Sequence, residues 1–405
     1  MNMVNPELLR DVNATNFNIY KGKRIFLTGH TGFKGAWLAL WLADLGAEVY
    51  GYSLEEPQAP ASYTALGIQK LLKSETIANL NDFEKLSNAF KEANPHFVFH
   101  LAAQALVRVS YQNPIDTIKS NYLGTAHLLE VIRLARQSVS CVIVTSDKCY
   151  ENDETGKAYE ETDRLGGHDI YSMSKATSEL LVASYRDSFF NPQDFKNHPE
   201  HLQDGNAKNY KVALATARAG NVIGGGDYAL DRILPDCVRA IQANNPVVLR
   251  NPKAVRPWQH VLEPLSGYLC LGSALAGLDC AHEFSNNSTR NPAEYCTGFN
   301  FGPEEQSSLT VKEIVEHFLQ NWGLPSWRIE LNASPLHEAL QLNLSVKKAK
   351  HVLNWRPIWD IKTALLNTTQ WYKKYESASK QTGIMRDFTR EQISKYSVEI
   401  NSNDF

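Results

Sequence analysis

Lys23-Arg24-Ile25-Phe26-Leu27-Thr28-Gly29-His30-Thr31-Gly32-Phe33-Lys34-Gly35 is the stretch that decides the fold. Its first six residues, 23–28, have a continuous apolar centre and read as a short buried strand. Residues 33–45 are rich in Ala and Leu and suit a helix. A chain that passes from strand to helix through Gly29, Gly32 and Gly35 turns sharply and brings its backbone close to a pyrophosphate. The N–H groups at the helix start then hold the anion. The spacing is G-x-x-G-x-x-G, which by itself also fits a tight turn packing a helix on a sheet. The strand–turn–helix setting is what favours a dinucleotide.

Outward from this loop the strand–helix alternation continues. Strands are expected at 47–53, 96–100, 139–145 and 211–217, and helices at 82–93, 115–136 and 171–189. That order predicts an α/β protein, a Rossmann-type doubly wound parallel sheet with a smaller C-terminal substrate-binding lobe. The expected division is a dinucleotide-binding domain over 20–220 with a return segment at about 256–278. Residues 221–255 and 279–375 form the second lobe, and 1–19 and 376–405 are peripheral arms. Beyond 217 the pattern weakens to short helices near 231–244 and 309–321. The polar stretches 191–210 and 279–297 read as exposed loops.

The bulk composition removes several classes. The chain has 405 residues, with 41 Lys and Arg against 44 Asp and Glu, so no positive excess favours nucleic acid. No run approaches the roughly 18 apolar residues of a membrane span. The six cysteines form no C-x-x-C pair, and the twelve histidines form no H-E-x-x-H cluster. Reduced thiols, a cytoplasmic location and no metal are expected.

Tyr171-Ser172-Met173-Ser174-Lys175 opens the helix 171–189, and its i, i+4 spacing puts Tyr171 and Lys175 on one face. A nearby ammonium lowers a phenol's pKa and prepares it as a base. A solvated helix face would show the same pattern. What favours chemistry is the strand ending in Thr145-Ser146-Asp147-Lys148, which delivers hydroxyl, carboxylate and amine to the carboxyl edge of the sheet, where ligands of open α/β folds bind. The earlier strand ends in His100-Leu101-Ala102-Ala103-Gln104, followed by Arg108, at the same edge.

The glycine loop, His100–Ala103, Asn121 and the Ser146, Tyr171, Lys175 set resemble the extended short-chain dehydrogenase/reductase family. Within it, residues 28–37, 146–150, Arg218-Ala219-Gly220-Asn221-Val222-Ile223-Gly224-Gly225-Gly226-Asp227 and Arg256-Pro257-Trp258-Gln259-His260-Val261 resemble the nucleotide-sugar 4,6-dehydratases, from about residue 20 to about residue 375. The resemblance implies NAD-dependent 4,6-dehydration of a nucleoside-diphosphohexose, with CDP-glucose as the expected substrate. Tyr171 would take the C4-hydroxyl proton, Lys175 would tune it and hold the nicotinamide ribose, and Ser146 would bond the C4 oxygen. Asp147 would protonate the leaving C6 hydroxyl, and Lys148 stands where the base for the C5 proton belongs. For the cofactor, the resemblance implies Gly29, Thr31, Gly32, Phe33, Lys34, Gly35, Asn79, Leu80, Leu101, Ala102, Ala103 and Asn121. For the nucleotide sugar it implies Gln104, Arg108, Asn221, Arg232, Leu234, Arg256 and His260. The chain departs from the family at Asn79, where an acidic residue is usual.

Two other readings remain open. An NAD-dependent epimerase or reductase on a nucleotide sugar would not need Asp147 and Lys148, and a non-catalytic dinucleotide sensor would not need Ser146, Tyr171 and Lys175 together. NAD is expected over NADP because no basic residue lies between Tyr50 and Gln69, while Glu55 and Glu56 do; Lys34 in the loop is a counter-signal. The resemblance also implies a homodimer paired through helices 115–136 and 171–189, with Leu128, Leu129, Ile132, Leu180 and Leu181 as apolar candidates for the interface.

Overall fold

The computed structural model describes residues 17–56, 61–195, 210–278, 290–304, 309–331, 342–378 and 381–402. Most of the two loops expected at 191–210 and 279–297 lies outside these residues. Seven strands build the central sheet: β1 (Arg24–Thr28), β2 (Glu48–Ser53), β3 (Ser74–Ile77), β4 (Phe97–His100), β5 (Val139–Val144), β6 (Val212–Ala219) and β7 (Gly298–Phe301). They pair in the order β7-β6-β5-β4-β1-β2-β3, every pair parallel. Helices cover both faces, so β4, β5 and β6 are buried along their whole length. Such strands read as unbroken apolar runs with no alternation. The strand order reverses between β1 and β4, which opens a crevice beyond their carboxyl ends.

β7 falls in the segment that the sequence placed in the second lobe, yet it pairs with β6 from Gly298↔Thr216 to Phe301↔Ala219. The helix Leu262–Leu275, the return segment, is buried at every residue and packs beneath β5 and β6. The second lobe holds the helices Ile233–Gln242, Val311–Trp322 and Ile361–Ser377, with two-stranded pieces such as Val247–Leu249 beside Ile329–Leu331.

The helix expected over 115–136 has three parts. Pro114–Ile118 runs into a single π turn, Lys119–Leu123, before α-helical geometry resumes at Gly124–Ala135. The extra residue of a π turn rotates the rest of the helix, and such turns gather at functional sites. This one presents Asn121 inward. Gly124 then lets the helix close on Leu80, whose side chain would lie 2.9 Å from an added Cβ.

The C-terminal arm is a 21-residue helix, Thr382–Ser402, packed against the body of the protein. Met385, Ile393 and Tyr396 are buried, and Tyr396 meets Trp41 and Trp359 edge-on, at 6.1 Å and 5.1 Å. Arg390 grips both oxygens of Asp44 at 3.0 Å. This cover explains the first helix, Phe33–Asp44, whose residues from Gly35 to Leu42 are all buried. A helix that is apolar all round needs neighbours on every side.

Candidate active site

A cavity of about 970 Å³ lies beyond the carboxyl ends of β1, β4, β5 and β6. Its cofactor-side wall begins with the glycine loop. Gly29 has φ +79°, and a Cβ there would lie 2.6 Å from the Ala102 nitrogen. A Cβ on Gly35 would lie 2.0 Å from the Gly29 oxygen. Only glycine fits either place, and the loop is thereby drawn tight at the start of the first helix. Gly32 caps that helix with no side-chain bond, which leaves its N–H groups facing the cleft. The cradle suits a pyrophosphate.

The structure brings Gly29, Gly32, Phe33, Lys34, Gly35, Leu101 and Ala103 together on the cavity lining. Thr31 is turned away: its hydroxyl shares a 2.7 Å hydrogen bond with Ser53 and donates to the Leu54 oxygen at 2.9 Å. It ties the loop to the end of β2. Ala102 backs Gly29. Asn121 clamps the loop after β4, accepting from the Gln104 N–H at 2.8 Å and donating to the Gln104 carbonyl at 3.0 Å. The Gln104 side chain bonds Thr117 and the Leu106 carbonyl, so it shapes the loop and does not line the cavity. Asn79 and Leu80 stand apart from the lining, past the end of β3. The Asn79 side chain is spent on the Asn81 N–H at 2.9 Å, and Leu80 is buried under Gly124.

On the opposite wall, β5 ends in a short 3-10 turn, Asp147–Cys149. Ser146 accepts from the Lys148 N–H at 3.2 Å and donates to Asp147 Oδ1 at 2.8 Å. Asp147 is buried, and its Oδ2 has no hydrogen-bond partner among the described residues. Lys148 Nζ stands 3.5 Å from Asp147 Oδ1. Tyr171 and Lys175 lie one turn apart on the helix Ile170–Phe189, which Asp169 caps through the Ser172 N–H at 2.9 Å.

The phenol does not behave as the i, i+4 pairing implied. Burial pushes the Tyr171 pKa up to about 12, outweighing its side-chain hydrogen bond with Ser146. Lys175 points its amine to the Val144 carbonyl at 3.5 Å, and burial brings its own pKa down to about 8. A cation that is itself desolvated lends the phenol little help. Lys34 Nζ reaches the Tyr268 hydroxyl at 3.4 Å, and burial together with Arg232 and Lys175 lowers it to about 7.

Beneath these groups lies an ion pair that the sequence reading passed over. Glu179, one turn beyond Lys175, meets Arg218 at 2.8 Å with both side chains buried. Thr145 and Thr216 donate to the same carboxylate. Arg218 also donates to the Tyr150 hydroxyl at 2.8 Å, and Tyr150 in turn to Asn300 on β7 at 2.7 Å. The i, i+4 step from Lys175 to Glu179 was the available signal.

Arg108, Asn221, Arg232, Leu234 and Arg256 line the other half of the cavity. Arg232 pairs with Asp227 at 2.9 Å. Asn221 Oδ1 is buried with no hydrogen-bond partner among the described residues, an acceptor aimed at a ligand-sized space. His260 is not on the lining. Its ring is fully buried between Trp37 at 5.7 Å and Trp359 at 4.8 Å, and burial takes its pKa down to about 3. It is a neutral core residue placed by its aromatic neighbours. The sequence reading passed over Asp231 and Arg250 and gave Trp258 no role beyond its motif; the cavity contains all three.

A glycine cradle at the switch point of a doubly wound sheet, facing Ser146, Tyr171 and Lys175, defines an enzyme of the extended short-chain dehydrogenase type. The profile of the GDP-mannose 4,6 dehydratase family matches residues 26–368, and the chain belongs to that family. It is 42% identical to the CDP-glucose 4,6-dehydratase of Salmonella typhimurium, over 88% of this chain and 92% of that one. It is 25% identical to UDP-glucuronate 4-epimerase 1 of Arabidopsis thaliana, over 87% of this chain and 77% of the relative. The NAD-bound structure of dTDP-glucose 4,6-dehydratase from Bacillus anthracis superposes with a TM-score of 0.67 at 19% identity, covering 89% of this chain and 99% of that one.

The buried Lys34 amine yields a sign that can be measured. Its folded pKa of about 7 lies below the ordinary value of 10.5. Folding therefore expels a proton, and the burden on stability is full below pH 7 and fades as pH rises toward 10.5. The variant Lys34→Met should raise the melting temperature of the ligand-free protein at pH 6–7 and raise it much less at pH 9.5. Thermal melts across this range check it; a gain that is equal at both ends would contradict a depressed Lys34.

Proposed function

We propose that this protein is an NAD-dependent nucleotide-sugar 4,6-dehydratase acting on CDP-glucose. The observation that carries the reading is the adjacent acid and base: Asp147 and Lys148, 3.5 Å apart, on the turn beside Ser146 and within the same cavity as Tyr171 and Lys175. Oxidation and re-reduction at C4 need only the hydroxyl, phenol and amine. Elimination of water across C5 and C6 needs one group to take a proton and another to give one. The 42% identity over nearly the whole length of the Salmonella enzyme supports CDP as the nucleotide.

Gly29, Gly32, Phe33, Lys34 and Gly35 would hold NAD, with Leu101 and Ala103 along its length and Lys175 at the nicotinamide ribose. Bound there, NAD would supply the hydride chemistry that oxidation at C4 and reduction at C6 require. Lys34 is engaged with Tyr268 and does not stand at the end of β2, where a 2′-phosphate would need a cation. Ser146 orients the C4 oxygen. Tyr171 takes the C4-hydroxyl proton; a phenol held near 12 ionises only when positive charge arrives beside it, which couples proton removal to a filled site. Lys148 takes the C5 proton as Asp147 delivers its own to the departing C6 hydroxyl. Their separation lets the proton gained by one restore the other. Asn221, Arg232 and Arg256 hold the nucleotide and its diphosphate, Arg through its planar fork.

We further propose a cytoplasmic homodimer. Cys141, Cys149, Cys237 and Cys296 are free and buried, which suits a reducing compartment. Among the described residues no helix is long and apolar enough to cross a membrane. The helices expected to pair do carry apolar residues, but Leu128, Leu129 and Ile132 are fully buried within the chain. The most exposed ones are Ile115, Leu134, Leu180 and Phe189, each between 52% and 60% exposed, with Tyr122 and Leu123 less so. Exposed apolar residues on these two helices suit an association surface.

Three outcomes check these statements. Incubated with NAD and a panel of nucleoside-diphosphoglucoses, the protein should remove one water from CDP-glucose in preference to the UDP, dTDP and GDP sugars, read by mass spectrometry; no loss of water from any of them would refute the dehydratase. Lys148→Met should still develop the absorbance of reduced nicotinamide but fail to exchange the C5 hydrogen with deuterated water. Near-normal exchange would mean another group takes that proton. Light scattering at micromolar concentration should give twice the monomer mass, and Leu180→Glu should lower it to one; an unaffected dimer would place the interface elsewhere.

A further inference from the structure

We propose that Asp231 is an internal counter-anion that straps Arg108 to Arg250 across the mouth of the cleft, and that a nucleoside diphosphate displaces it to bind. The proposal rests on the nucleotide-sugar reading given above. Asp231 Oδ1 is shared by two guanidinium groups, Arg250 Nη1 at 2.5 Å and Arg108 Nη1 at 3.7 Å. The two arginines come from opposite halves. Arg108 lies on the helix Val107–Gln112 that follows β4, whereas Arg250 follows the small-lobe strand Val247–Leu249. All three residues line the cavity.

Charge explains why the strap is exchangeable. One carboxylate brings one negative charge to two cations, and the longer contact to Arg108 shows the shortfall. A nucleotide sugar brings one charge on each of two phosphates, enough to satisfy both guanidinium groups with bidentate geometry. The Asp231 side chain is 38% exposed, so water screens the pair and weakens it. Asp227, which holds Arg232 deeper in the cleft, is 6% exposed and has no such freedom. Arg250 also has a second carboxylate, Asp236, at 3.8 Å, and Asp236 is itself braced by Arg239. When Asp231 withdraws, Arg250 is still held in place.

Asp231 has φ +60°, the left-handed region, which aspartate and asparagine tolerate better than other non-glycine residues. It lies at the turn just before the helix Ile233–Gln242, beside Arg232.

Asp231→Asn removes the charge while keeping a residue that tolerates the left-handed backbone. Calorimetric titration of the full chain with CDP and with UDP should show this variant binding both at least threefold tighter than wild type, with NAD affinity unchanged. Arg250→Gln should bind both at least tenfold more weakly. A loosened structure does not tighten a ligand, so the gain separates displacement of an internal anion from a purely structural role. Unchanged or weaker binding by Asp231→Asn overturns the proposal, as does wild-type binding by Arg250→Gln. A wild-type protein that prefers UDP to CDP would count against CDP-glucose as substrate, while tighter binding of both nucleotides by Asp231→Asn would leave the strap standing.

Discussion

The ion pair between Glu179 and Arg218 is the interaction on which the active site depends. Burying two charges carries a desolvation cost of several kcal/mol per ion in effective terms, and a pair survives in the interior only when further hydrogen bonds complete it. Here Thr145, Thr216, Tyr150 and the Glu161 carbonyl supply them. Each donor or acceptor comes from a different part of the site. Glu179 is on the helix of Tyr171 and Lys175, Thr145 precedes Ser146, and Thr216 and Arg218 are on β6. Tyr150 follows the turn of Asp147 and Lys148 and reaches Asn300 on β7. One buried pair therefore fixes the height of the helix that carries Tyr171 and Lys175 against the strand end that carries Ser146, Asp147 and Lys148. Loss of one partner would leave an uncompensated buried charge, a penalty of about 3–5 kcal/mol.

Above that fixed floor, the cleft is rich in cations whose state is set by burial. Lys34 and Lys175 are held toward their neutral forms, whereas Asp227 keeps the Arg232 guanidinium charged. A site built to receive two diphosphates, one from a dinucleotide and one from a nucleotide sugar, faces opposing demands. It must offer positive charge to the ligands and yet fold without them. Burial answers this at the amines, because a lysine can release its proton. Arginine cannot, so carboxylates stand beside the guanidinium groups instead: Asp227 for Arg232, and Asp231 and Asp236 for Arg250, with Asp231 shared by Arg108. The division between lysine and arginine follows from their chemistry.

The sheet was legible in the sequence because parallel strands buried on both faces write themselves as apolar runs, and because the glycine loop marks where the first one ends. Tyr171, Lys175 and the Ser146–Lys148 turn were legible as motifs. Other features were not, each for a physical reason. β7 is four residues long and lies far from the alternating pattern, and only its pairing with β6 identifies it. The C-terminal helix is polar on balance and buries a narrow stripe through Met385, Thr389, Ile393 and Tyr396, so its sequence resembles a solvated arm. His260 stood in a matching motif, but motif position does not reveal which way a side chain turns; Trp37 and Trp359 hold it in the core. The strap at Asp231 joins three residues whose separation in sequence hides them from any spacing rule. Asn121 was named for a cofactor; a π turn aims it at the backbone of Gln104, a role that no spacing rule reveals.

The turn after β5 brings the side chains of two neighbouring residues, Asp147 and Lys148, to the same cavity. Had the strand simply continued, Asp147 and Lys148 would point to opposite faces of the sheet, and one of them would be lost beneath it. A 3-10 turn advances about 120° per residue, so consecutive side chains diverge without parting. Asp147 goes inward, 2% exposed, and Lys148 outward into the cleft, 28% exposed, while their charged ends remain 3.5 Å apart. The inward position shields the carboxyl group from water and leaves Oδ2 without a hydrogen-bond partner among the described residues. Ser146 sets the geometry by accepting the Lys148 N–H while donating to Asp147, so a single serine hydroxyl fixes the bend that holds a buried carboxyl and a half-exposed amine side by side at the edge of the cavity.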